Sequence, residues 1–237
     1  MKIALLGYGK MGHEVESMAI ANGHSIFLTI DNENDWIEKA EALSSCDVAI
    51  EFSVPANVEK NIYRCIEKNI PIVVGTTGWY SKLEQIKEFC NLNNGSLFYA
   101  SNYSIGVNIF FAINQKLAVL LEAYPNYLPE LIETHHIQKL DSPSGTAISL
   151  ANGIIASNSH FCSYSENNGA ASEIPIHSIR EGNVTGTHTV TWTSDIDKIS
   201  LIHEAFNRKG FALGAVLAAA WLQGRKGVFS MNDMLNL

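Results

Sequence analysis

The chain has 237 residues, 46% of them hydrophobic, enough for one large domain or two modest ones around a buried core. Its 24 Asp and Glu against 16 Lys and Arg leave a formal net charge of -8, which argues against a broad phosphate-backbone surface; no nucleic-acid partner is expected, while a local cationic pocket for a small anion stays open. Cys46, Cys65, Cys90 and Cys162 are scattered, with no Cys-x-x-Cys pair, so reduced thiols are expected rather than a disulfide framework or a zinc site.

The opening Met-Lys-Ile-Ala-Leu-Leu-Gly reaches glycine too soon for a signal peptide, and a cytoplasmic protein is expected. Apolar runs at residues 3–6, 25–30, 48–52, 70–74 and 97–100 then predict strands. Helical patterns at 11–21, 57–68 and 81–91 lie between several of them. That alternation predicts an α/β unit with a parallel sheet wound by right-handed crossovers.

The first strand runs straight into Gly7-Tyr8-Gly9-Lys10-Met11-Gly12, with a helix to follow, which is the setting a Rossmann-type dinucleotide fingerprint requires. Gly7 permits the tight turn, Gly9 lets the backbone approach a pyrophosphate, and Gly12 lets helix and strand pack closely. The second strand ends at Asp31, about 20 residues further on, where a carboxylate can take the adenosine ribose hydroxyls. The bland alternative is a solvated loop carboxylate, since Glu33 and Asp35 follow. No arginine follows Asp31 and the acidic run should repel a 2′-phosphate, so NADH is expected to be favoured, with Lys10 the nearby cation that leaves NADPH possible. Gly75-Thr76-Thr77-Gly78 follows the fourth strand, at the carboxyl end of the sheet where ligands of open α/β sheets collect; a flexible loop is the alternative. Phe52, at the end of the third strand, flanks the same crevice.

Beyond Asn102 the rhythm changes. A helix is predicted over 107–122, a strand over 130–139 and a second helix over 143–156. Strands follow at 174–180, 187–193 and 198–204, with turn signals at 181–183 and 194–195. These predict a second, α+β domain on a mostly antiparallel sheet, with 157–172 as a loop. The apolar stretch 211–222 falls short of the roughly 18 residues a membrane span needs, so a buried helix and no membrane partner are expected.

Within the strand predicted to 139, period two puts His135 and Lys139 on one face and turns His136 away. A metal is not expected there, because neighbours on a strand diverge and no third ligand stands at a recognised spacing. Ser142 suits an N-cap and Pro143 the first helical position, which would leave the amides of Gly145 and Thr146 free to hold a carboxylate. An ordinary capped helix start is the alternative. Lys139 beside it makes a small dicarboxylate an attractive substrate.

These motifs resemble those of the 4-hydroxy-tetrahydrodipicolinate reductase (dihydrodipicolinate reductase) family over most of the chain, most specifically His135-His136-x-x-Lys139 followed by Asp141-Ser142-Pro143-Ser144-Gly145-Thr146-Ala147. The other stretches are the glycine fingerprint, Gly75 to Gly78, Asn102 to Asn108 and Arg180 to Thr189. The resemblance implies hydride transfer from NADH or NADPH to a cyclic imine dicarboxylate in diaminopimelate and lysine biosynthesis. It makes His135 the general acid and Lys139 its partner, with His136, Lys139, Gly145 and Thr146 on the substrate carboxylates. The cofactor set becomes Gly7, Gly9, Lys10, Met11, Gly12, Asp31, Phe52, Gly75, Thr76, Thr77, Asn102 and Tyr103.

The resemblance also implies a dinucleotide-binding domain of residues 1–105 completed by 209–237, a substrate-binding and oligomerisation domain of 106–208, and a homotetramer. Ile137 and Gln138 depart from the family, where basic residues are common, and Arg180 and His188 suit structural or subunit-contact roles. The rival expectations are another NAD(P)-dependent amino-acid or semialdehyde dehydrogenase, which would not need this cluster, and a non-catalytic NAD(H) sensor.

Overall fold

In the computed structural model, which describes residues 1–166 and 170–237, the chain divides into two compact units: Met1–Ile105 with Lys209–Leu237, and Gly106–Arg208. The elements run β1 (Lys2–Leu6), α1 (Lys10–Ala21), β2 (Ser25–Ile30), α2 (Glu33–Lys39), β3 (Val48–Glu51), α3 (Pro55–Glu67), β4 (Ile72–Val74), α4 (Leu83–Leu92), β5 (Ser96–Tyr99) and α5 (Ile105–Leu121). They continue with β6 (Leu128–His135), α6 (Gly145–Ser157), β7 (Ser163–Glu166), β8 (Glu173–Arg180), β9 (Thr187–Thr193), β10 (Lys198–Glu204), α7 (Lys209–Leu222), β11 (Gly227–Phe229) and α8 (Met231–Leu235).

The first unit is built on a six-stranded sheet in the order β11-β5-β4-β3-β1-β2, all pairs parallel. Both faces are buried, as a parallel sheet demands. Along β1, Ala4 and Leu6 join the core under α2, α3 and α4, while Ile3 and Leu5 join the core under α1 and α7, the alternation of a pleated strand. The Rossmann-type layout expected from the sequence is present. Helix α2 was not expected: Asn32 accepts from the Asp35 amide and caps a segment that reads as a solvated acidic run.

The second unit carries a five-stranded sheet in the order β10-β9-β6-β8-β7, with α5 and α6 contributing Phe110, Leu121, Leu150 and Ile154 to one core with Leu131, Ile176, Val190 and Trp192. This sheet is mixed rather than mostly antiparallel. β10, β9 and β6 pair antiparallel, whereas β6-β8 and β8-β7 pair parallel, because the chain returns through α6 before β7 and β8 are laid down. β7 falls inside the stretch expected as a loop, of which residues 167–169 lie outside the described residues.

Two boundaries near the chemistry also differ. β6 ends at His135, and the Lys139 amide then donates to His136 O in a turn at 3.1 Å, so the period-two argument does not reach Lys139. Helix α6 starts at Gly145 with Ser144 as its N-cap, its hydroxyl accepting from the Ala147 amide at 3.2 Å; Ser142 and Pro143 precede the helix.

Candidate active site

At the carboxyl end of the parallel sheet, backbone bonds extend the ladder by one residue and align three loops: Gly7 N donates to Ile30 O (2.8 Å), Phe52 N to Leu6 O (2.8 Å) and Gly75 N to Glu51 O (2.9 Å). The strand order reverses between β1 and β3, the point where open α/β sheets bind ligands. Gly7 has φ +92°, and a Cβ there would lie 2.3 Å from Phe52 O, so only glycine lets the loops meet. α1 begins at N-cap Gly9 with no side chain capping it among the described residues, leaving first-turn amides at Lys10 and Met11 for an anion. Gly12 is buried in that first turn.

Asp31 accepts from the Tyr8 amide at 2.6 Å and lines a crevice with Gly7, Asn32, Ser53, Lys60 and Arg64. These residues fit the pyrophosphate and ribose of a dinucleotide. Lys60 and Arg64 come from α3 and correct the expectation that Lys10 is the only nearby cation. Arg64 is committed to Glu33 and lies over the Trp36 ring, whereas Lys60 is exposed with no salt-bridge partner among the described residues.

The remaining residues of the expected cofactor set have different settings. The Phe52 ring is half buried and edge-on to Tyr103, and Thr76 is buried with its carbonyl accepting from Trp79 Nε1. Thr77 is exposed in the same loop. Tyr103 lies in the core, its hydroxyl donating to Val74 O at 2.8 Å, so contact with a ligand there falls to the backbone. The Asn102 side chain accepts from the Ser104 amide. Glu51, at the start of the stretch expected to flank the crevice, is fully buried; burial pushes its carboxyl up against the lowering effect of Ser53, Thr76 and Asn61.

In the second unit β6 brings His135 and Glu133 to one face, and β9 sets His188 across from Glu133. The Glu133 carboxylate is buried, and it accepts from the Ser144 amide (3.1 and 3.2 Å), Ser178 Oγ (2.7 Å) and Arg180 Nη2 (3.3 Å). His135 Nδ1 lies 3.5 Å from one oxygen and His188 Nε2 3.6 Å from the same oxygen. Burial would push the Glu133 carboxyl up, but the nearby His188 ring and the bonds from Ser144 and Ser178 outweigh it and hold it well below the usual range. Burial, reinforced by His188, lowers His135 to about 4 against the raising effect of Glu133.

Lys139 Nζ pairs with Asp141 at 2.7 Å, and Arg180 holds the loop between them, its Nη2 donating to Asp141 O (2.6 Å) and its Nε to Lys139 O (3.4 Å). His136 approaches Arg208 at 3.5 Å. The Ser144 cap takes the Ala147 amide and leaves those of Gly145 and Thr146 as first-turn donors.

Glu133 and His188 thus supply the neighbours of His135 that sequence spacing does not reveal, and three groups of ligating type do stand together: donor atoms of Glu133, His135 and His188 lie within 4.8 Å of one another. Arg180 on the other oxygen of the same carboxylate makes the group a poor cation site, because its guanidinium already neutralises the anion that a metal would need. The geometry sets a buried imidazole beside a buried carboxylate, an arrangement able to carry acid–base chemistry.

Residues 1–103 match the family model described as dihydrodipicolinate reductase, N-terminus, and residues 106–235 the one described as dihydrodipicolinate reductase, C-terminus. A 4-hydroxy-tetrahydrodipicolinate reductase of Christiangramia forsetii is 47% identical over 238 residues, covering 100% of this chain and 98% of its own length. One of Akkermansia muciniphila is 37% identical and covers 97% and 95%. A solved dipicolinate-bound dihydrodipicolinate reductase from Paenisporosarcina sp. TG-14 shares the fold, with a TM-score of 0.77 over 99% of both chains at 24% identity.

Proposed function

The chain belongs to the dihydrodipicolinate reductase family, and from that premise we propose which of its residues carry the family's reaction. The activity is the NAD(P)H-dependent reduction of 4-hydroxy-tetrahydrodipicolinate, through its dehydrated imine, to tetrahydrodipicolinate in diaminopimelate and lysine biosynthesis. Another dehydrogenase or a sensor is not favoured.

The first unit is the dinucleotide domain. The amides at the start of α1 hold the pyrophosphate, Asp31 takes the adenosine ribose, and the loops at Phe52, Gly75 to Thr77 and Asn102 to Tyr103 wall the crevice. The bound cofactor supplies a hydride. NADH is favoured because Asp31 opposes a 2′-phosphate, and Lys60 with Lys10 makes NADPH usable.

The second unit is the substrate domain. Lys139, His136 and the Gly145 and Thr146 amides take the substrate carboxylates, with Lys139 exchanging Asp141 for substrate. His135 delivers a proton from its imidazolium to the imine nitrogen as the adjacent carbon is reduced. The observation that carries this assignment is the grouping, in one unit, of a buried imidazole, an ammonium and two first-turn amides. Exposed Ile179 and Ile202, on the face of the second sheet away from α5 and α6, support a homotetramer formed through that sheet, which light scattering measures.

The test couples a dihydrodipicolinate synthase to this protein and follows oxidation of NADH and then NADPH. His135→Gln and Lys139→Ala should each lower kcat by about two orders of magnitude or more with NADH affinity nearly intact. A matching loss of NADH affinity would refute the assignment.

A further inference from the structure

We propose that Glu133 is a positioning residue for this reaction: its buried carboxylate orients His135 through Nδ1, and it ties to that imidazole both the loop bearing Lys139 and the start of α6. The inference rests on the reading of His135 as the acid.

Two residues apart on β6, Glu133 and His135 point to the same side of the sheet. Nδ1 of His135 is fully buried and has no hydrogen-bond partner among the described residues, and a Glu133 oxygen lies 3.5 Å away. Catalytic hydrogen bonds are often that long before substrate binds and tighten in the complex. The other ring nitrogen, Nε2, lies beside Gly186, where a Cβ would come within 3.1 Å; glycine keeps that edge of the imidazole clear.

A proton shared with Glu133 at Nδ1 therefore leaves Nε2 as the atom that gains and loses the transferable proton, and the carboxylate stabilises the imidazolium in between. The same carboxylate holds the Ser144 amide, which sets the first turn of α6, and Arg180, which clamps the carbonyls of Lys139 and Asp141. One anion fixes the acid, the ammonium loop and the amides together.

The charged and titratable groups around His135 come from each neighbouring strand and loop: Glu133 from β6, His188 from β9, Arg180 from β8, and Lys139 and Asp141 from the loop after β6. Their signs give opposite predictions for two variants. Glu133→Gln removes the anion, so His135 should become harder to protonate and lose its preference for the Nδ1–H tautomer. Arg180→Gln leaves Glu133 less compensated, so His135 should become easier to protonate. A scaffold role that merely loosens the unit would move both the same way.

The experiment is nitrogen-15 imidazole NMR of His135 in the full-length enzyme, with kcat, KM and NADH affinity measured alongside. Expected are opposite displacements in the two variants, and in Glu133→Gln a kcat loss on the order of a hundredfold with NADH affinity unchanged. Displacements in the same direction, or none, would overturn the inference. Should Glu133→Gln fail to fold, Ser178→Ala strips one donor from the carboxylate without changing charge and should move His135 in the Arg180→Gln direction; no such movement counts equally against it. His135→Gln is run in parallel: full activity there sinks the acid assignment itself, whereas an inactive His135→Gln beside a fully active Glu133→Gln with an unchanged tautomer sinks only the role of Glu133.

Discussion

An acid whose free form ionises at about 4 is protonated in roughly one molecule in a thousand at pH 7, so substrate must supply what His135 lacks. One carboxylate brought to about 4 Å of the imidazole at an effective dielectric of 20 contributes about 4 kcal/mol, or about three pH units. That lifts His135 to the neighbourhood of 7. Binding an unreactive dicarboxylate analogue at pH 7 should therefore draw in about half a proton per site. Calorimetric titration in buffers of different ionisation enthalpy measures this number as the slope of observed heat against buffer heat. His135→Gln should abolish the slope while still binding the analogue through Lys139 and the α6 amides. A zero slope in the natural protein, or an undiminished one in His135→Gln, would refute the reasoning.

The same depressed ionisation governs stability. His135 is lowered from 6.5 to about 4 on folding, so the unfolded chain binds more protons between those values, and stability falls as pH drops through that window by up to about 3 kcal/mol. Thermal midpoints at pH 7 and 5 should differ less in His135→Gln than in the natural protein, and parallel losses would count against it. Glu133 acts in a lower window: its folded value lies below 4.5, so its contribution is present above 4.5 and is lost on further acidification. Lys60→Glu should raise KM for NADPH severalfold and leave KM for NADH nearly unchanged; equal effects would remove Lys60 from the 2′-phosphate. Gly7→Ala, with φ +92° and Phe52 O in the way, should cost at least about 1–3 kcal/mol and abolish NADH binding, as denaturation and fluorescence titration would show.

Where local chemistry decides the outcome, the sequence was sufficient. Strands β9 and β10 occupy the residues that alternating β-branched side chains predict, and the glycine fingerprint lies between β1 and α1. Elsewhere local patterns outlast the structure. Ile137 and Lys139 continue the alternation of β6, yet Ile137 N bonds to Gly182 O and the chain turns. Ser142 looks as good a cap as Ser144, and only Glu133, by accepting the Ser144 amide, marks the true start of α6.

What the sequence hides entirely is proximity between distant residues. Lys60 meets the Asp31 crevice because α3 follows β3 at the switch in strand order, and His188 reaches Glu133 through register across two strands.

The first unit is interrupted in the chain: its sheet begins with residue 2, but α7, β11 and α8 come only after the whole second unit. Ala212, Ala215, Val216, Ala219 and Leu222 cover Ile3, Leu5, Ile50 and Phe98. During synthesis, then, the part of that face not covered by α1 stays bare until α7 follows the inserted unit out of the ribosome, whereas the inserted unit has every one of its strands in hand before α7 is made. The order of completion runs opposite to the order of translation, and the nascent chain depends on α7 to shield the first-made part of this core from misassociation.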